Sequence, residues 1–86
     1  MATAIEGTVT VDGIPARIAT VELLNRHGDV LDQIAVDDHG RFRYHLAPGQ
    51  WTLNAYDARG NRNKTDISLY EGEDRTLDLE LKEGAS

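Results

Sequence analysis

The chain has 86 residues, no cysteine, 40% hydrophobic residues and a formal charge of −6 at pH 7. That length supports one small domain whose core is only just large enough to fold alone, and the apolar fraction excludes a disordered chain. The acidic balance argues against non-specific binding to nucleic acid or an anionic membrane, the absence of cysteine removes disulfides and thiol chemistry, and no apolar run is long enough to cross a bilayer.

Strand signals follow one another at intervals of roughly ten residues. Ile5 to Val11 alternates, with Gly7, Val9 and Val11 on one face and Thr8 and Thr10 on the other. Asp12-Gly13 supplies a turn, and Pro15, which has no amide hydrogen to donate, delays the next strand. Ala19, Val21 and Leu23 form that strand's apolar row. Asn25 to Asp29 turns the chain into a third strand carrying Val30, Ile34 and Val36, in which Asp32 marks a bulge or an exposed start. Asp37-Asp38-His39-Gly40 leads into the fourth, with Phe42, Tyr44 and Leu46 inward. Pro48-Gly49 fits the centre of a type II turn, and Trp51, Leu53 and Ala55 point inward from the fifth strand. Ala58 to Asn63 reads as a polar loop. Ile67 and Leu69 carry a sixth strand, Leu77, Leu79 and Leu81 a seventh, and residues 83–86 a loose tail. No helical period competes.

Seven short strands at this spacing predict an all-β fold: a seven-stranded antiparallel Ig-like or transthyretin-like β-sandwich, one domain over residues 1–86 with its core at about 5–82. Four of the five aromatics lie between Phe42 and Tyr56, so that block is expected to nucleate the core. A filled sandwich of this size is expected to leave only its outer surfaces for recognition, with both ends held by packing in an assembly.

Gly7-x-Val9, Gly13-x-Pro15, Ala19-x-Val21-x-Leu23, Asp38-x-Gly40-x-Phe42-x-Tyr44 and Leu46-x-Pro48-Gly49-x-Trp51-x-Leu53 together resemble the carboxypeptidase regulatory-like domain of the transthyretin-like superfamily. The resemblance covers Ile5 to Leu81. The family usually has Tyr or Phe at the position of Trp51, and an actinobacterial branch has Trp there. The resemblance implies a β-sandwich that packs beside or decorates other proteins without catalysing a reaction, and it carries no family-wide functional residues.

Read for chemistry, the chain offers little. His27 and His39 fall in predicted turns and His45 on an outward face, a spacing that forces no zinc geometry. Asp37-Asp38-x-Gly40 resembles a fragment of a calcium loop, but turn aspartates more often bond nearby backbone amides. Ser68 and Ser86, the two serines, have no nucleophile elbow around them. The expectation is no enzyme, no cofactor and no metal.

A protein interface is the sharper reading. Arg41, Arg43 and His45 alternate outward on the aromatic strand, and Thr52, Asn54 and Tyr56 alternate outward on the next, so one face is expected to hold all six against an acidic partner. Arg59, Arg62 and Lys64, in the polar loop from Asp57 to Lys64, form a second candidate contact. Asp78 and Glu80 are expected on the solvent face of the last strand, as cross-strand partners of the basic row or as protection of an open edge. The segment up to Val11 is the expected site of strand addition or homo-oligomerisation.

The function expected is a structural module of a larger assembly, a bacteriophage capsid decoration or tail-associated protein bound to a major capsid protein. The alternative is a cytosolic accessory subunit of a bacterial enzyme complex, and a carbohydrate-binding domain ranks third because only Tyr56 and Tyr70 are expected outward. The N-terminus, MATAIEGTVTV, lacks a signal-peptide pattern. The location expected is therefore the virion, or the cytoplasm if the protein is cellular.

Overall fold

Period-two alternation becomes extended chain throughout the computed structural model, which describes residues 3–83. The strands are β1 (Ala4–Val11), β2 (Ile14–Pro15), β3 (Thr20–Leu24), β4 (Val30–Ala35), β5 (Arg41–His45), β6 (Gly49–Tyr56), β7 (Asn61–Leu69), β8 (Asp74–Thr76) and β9 (Leu79–Glu83). The chain is all-β, and the seven expected strands are present with two short additions, β2 and β8. The loose tail expected over residues 83–86 does not include Glu83. Glu83 pairs with Asn61 in β9, and residues 84–86 lie outside the described residues.

Hydrogen bonding runs continuously through β2-β1-β9-β7-β6-β3-β4, with β5 and β8 both attached to β1. β1 changes partners partway along. Ala4–Thr8 contacts β5 and β8, whereas Val9–Val11 contacts β2 and β9. This exchange curls one sheet so that its two arms face each other. The wholly antiparallel arrangement expected from sequence is not what forms, because β1 runs parallel to β8 and to β9. Alternation reveals which face a residue takes but not the direction of a strand's neighbour.

β1 is also not the open margin expected of it. It has partners on both sides, and so does β9, which joins β1 to β7. The strands with a single hydrogen-bonded neighbour are β4, bonded to β3, and β2, β5 and β8, each bonded to β1.

The core lies between the arms. Ile5, Val9, Val21, Leu53 and Leu79 are its fully buried side chains, with Phe42 and Tyr44 contributed by β5. The Tyr44 hydroxyl crosses the core and donates to the Val21 carbonyl at 3.1 Å, fastening β5 over β3. Burial, reinforced by the Asp32 and Glu22 carboxylates, pushes the Tyr44 pKa up to about 12.

Candidate interaction surface

Three five-residue turns share one pattern, Asx-x-x-Gly-x. Asn25, Asp37 and Asp57 each direct Oδ1 at two backbone amides, those of the second and fourth residues beyond, at 2.8–3.0 Å. The glycine before the last residue takes φ of +86°, +75° and +88° in the three turns, a region costly for other residues. The Asp37 carboxyl is held below the usual carboxylate range chiefly by the amides of Arg41 and His39. Asp57 is lowered first by the Asn61 side-chain amide and then by backbone donors. The residues that suggested a calcium loop thus close a turn. Among the described residues, no three His, Cys, Asp or Glu side chains converge as a ligand set.

Arg41, Arg43 and His45 are exposed on β5, as their alternation requires. β5, however, pairs with β1 and not with β6, placing these side chains opposite Thr8, Glu6 and Ala4. Thr52, Asn54 and Tyr56 lie on β6, between β3 and β7 in the other arm. The single six-residue face expected from sequence is therefore two separate surfaces. Residues Leu46 to Pro48 carry the chain between arms instead of closing a hairpin, with the Leu46 amide bonded to the Thr3 carbonyl at 2.9 Å.

On the β5 surface Arg43 is paired, whereas Arg41 and His45 enter no ion pair among the described residues. Arg43 sits 2.9 Å from Glu6 and 3.5 Å from Asp74. Asp78 and Glu80 do not partner the basic row: Asp78 accepts from the Thr8 amide at 3.2 Å. Glu80 accepts from the Thr10 hydroxyl and from the amides of Asp12 and Gly13 at 2.5, 2.7 and 3.2 Å. These bonds, the Thr10 hydroxyl first among them, hold the Glu80 carboxyl below its ordinary range. Glu80 thereby braces the β1–β2 turn.

On the other arm, the register builds a row that no one segment reveals. Thr20 lies opposite Tyr56, Tyr56 opposite Arg62, and Arg62 opposite Lys82. The adjoining row sets Glu22, Asn54 and Lys64 side by side, with Asn54 donating to Glu22 at 2.9 Å. The next holds Thr52 against Asp66 at 2.7 Å. Arg62 belongs to a strand and not to the expected loop, since only Asp57 to Gly60 forms the turn and β7 begins at Asn61. Arg59 remains at the turn. The ion pairs among the described residues engage Arg43 and Arg75, so Arg59, Arg62, Lys64 and Lys82 stand without carboxylate partners. Lys64, expected in the same loop contact, also lies on β7, and Lys82 was missed from sequence. The signal for β7 lay in Asn61–Leu69, where Arg62 and Lys64 alternate against Ile67 and Leu69.

Trp51 points inward as expected, though it is only half-buried. Its ring rests against the core, Nε1 donates to the Ala47 carbonyl at 2.9 Å, and one side opens on a recess of about 330 Å³ shared with Arg26 and Asp66.

The fold has known counterparts. The family described as proteins of unknown function, DUF1416, matches residues 1–80. The chain belongs to this family. No curated protein sequence matches it. Among solved structures, a minor pilin from Streptococcus agalactiae superposes with a TM-score of 0.77 at 16% identity, covering 99% of this chain and 46% of the pilin. A DUF3823 family protein from Bacteroides ovatus gives 0.73 at 15% identity, over 94% of this chain and 44% of that one. The chain thus spans less than half of either protein. The 5-hydroxyisourate hydrolase of Klebsiella pneumoniae gives 0.69 at 21% identity, over 99% of this chain and 93% of the hydrolase. The DUF1416 chain therefore has a prealbumin-like, or transthyretin-like, fold, one shared by pilin domains and an enzyme alike.

Proposed function

We propose that this DUF1416 chain is a non-enzymatic protein-interaction module that works inside a larger assembly. The observation that carries the reading is the row Tyr56–Arg62–Lys82 with Lys64 beside it. Among the described residues these cations enter no ion pair, on a protein whose net charge is −6. A half-buried tyrosine among cations, presented by three neighbouring strands, suits contact with an acidic protein surface. The likeness to a pilin supports a place among repeated subunits.

Within the prealbumin-like fold, the carboxypeptidase regulatory-like branch is the proposed affiliation, supported by Gly40-x-Phe42 and Pro48-Gly49-x-Trp51. For the assembly, the proposal is a bacteriophage capsid or tail, with the major capsid protein as partner. The second reading is an accessory subunit of a cytosolic bacterial enzyme complex, and it is favoured by Trp51, the residue of the actinobacterial branch.

Co-purification of the tagged full chain from its native source, alongside the double variant Arg62→Glu/Lys64→Glu, tests the module. Wild type is expected to bring down a defined partner that the variant loses while staying folded. A partner held equally by both would overturn the role of this row, and a monomer with nothing attached would overturn the assembly. Sedimentation with virus particles supports the capsid reading; recovery with a metabolic enzyme supports the alternative.

A further inference from the structure

Exposed aliphatic side chains gather at one end of the molecule. Ile18 is 82% exposed and Ile14 69%. Val11, Ala16, Ile18 and Ala58 line a recess of about 360 Å³, with Arg17 and Arg59 beside them. The recess lies between the segment that follows β2 and the turn joining β6 to β7. Ile14 sits on the adjoining hairpin arm, opposite Val11. Single exposed aliphatics are ordinary on a soluble protein, but several grouped around a concavity mark a contact site.

Charge narrows the occupant. Arg17 and Arg59 flank the recess, and Arg62 and Lys82 continue from the same turn along the outer face of the sheet. The nearby carboxylates are turned to the backbone: Asp57 takes the amides of Arg59 and Asn61, and Glu80 takes those of Asp12 and Gly13. Asp12 is left at the exposed hairpin tip, and Glu83 stands opposite Asn61 on the far side of the β6–β7 turn. The result is an apolar centre with a cationic rim on an acidic protein. We propose that this recess docks a protein segment that inserts one or two aliphatic side chains flanked by carboxylates. The inference rests on the interaction-module reading and adds the chemistry of its partner. An anionic membrane would share both features, but the apolar surface here is a concavity between two turns, and the net charge of −6 repels such a surface.

Amide NMR of the full chain reads this out with three probes. One is a peptide of about twelve residues alternating Leu with Glu and Asp, the second is its Gln/Asn counterpart, and the third is vesicles with a quarter of their lipid phosphatidylglycerol. The acidic peptide is expected to shift the amides of Val11, Ala16 to Ile18 and Ala58 to Asn61 in a saturable way. Ile18→Asp and Arg59→Glu are each expected to weaken it by about tenfold or more, as is loss of the peptide's charge. The vesicles are expected to leave the spectrum unchanged. Silence at millimolar peptide, shifts on another surface, equal binding of the neutral peptide, or broadening of these amides by vesicles would each overturn the proposal. Should both variants keep the partner that Arg62→Glu/Lys64→Glu loses, the recess is not the dock and the interaction module still stands.

Discussion

At Gly7 the backbone of β1 passes so near the link between β8 and β9 that a Cβ atom would lie 1.6 Å from the Leu77 carbonyl oxygen. The same crossing is held by the Leu77 amide, which donates to Glu6 at 2.8 Å. A methyl group here must displace main chain and not a flexible side chain, so Gly7→Ala is expected to cost roughly 2–4 kcal/mol. A lowered urea midpoint measures this, and a wild-type midpoint would refute the crossing. Tyr44 acts at the same scale across the core. Removing its hydroxyl leaves the Val21 carbonyl without that donor, and Tyr44→Phe is expected to lose about 1 kcal/mol at neutral pH. The folded pKa of about 12 exceeds the ordinary tyrosine value of about 10, so the folded chain holds the phenolic proton more tightly than the unfolded chain. This contribution is complete below pH 10 and disappears as pH rises towards 12. Wild type should therefore lose more stability than Tyr44→Phe across that interval, and parallel curves would remove Tyr44 as the cause.

Among the longer strands, β4 buries the least: it has one hydrogen-bonded neighbour, and all its residues except Ile34 are exposed, Val30 and Leu31 among them. Two devices blunt this open margin: Asp32 occupies the row opposite buried Leu23, and the register slips between Leu23 and Leu24. An inward-row charge and a bulge both discourage another strand from adding. A strand that buries so little should open locally before the core does. Hydrogen exchange is expected to proceed about a hundredfold faster at the β4 amides bonded to β3 than at those of Ile5 and Val9 in β1. Equal protection would mean that β4 opens only with the whole domain.

Over the whole molecule, the charge is divided more sharply than its total suggests. From Asp29 to Asp38 there are four aspartates and no Lys or Arg, whereas Arg59, Arg62, Lys64 and Lys82 collect around the β6–β7 turn and its outer face. A partner gripped through exposed cations should dissociate more readily as salt screens them. The co-purifying partner should thus be lost between low and high ionic strength before the domain unfolds, and retention at high salt would shift the weight of the contact to the apolar recess.

The all-β class, the position of nearly every strand and the outward placement of Arg41, Arg43 and His45 were determined by local alternation and turn residues, because side-chain facing is set within a few residues of chain. So was the identity of the core, in Phe42, Tyr44, Leu53 and Ile67. Partnership was not. Whether Pro48-Gly49 closes a hairpin or carries the chain to another arm depends on which surfaces bury each other, and no short-range signal encodes that. Only the assembled sheet separated β5 from β6, set β1 parallel to β8 and β9, and aligned Tyr56, Arg62 and Lys82 from three distant segments into one row.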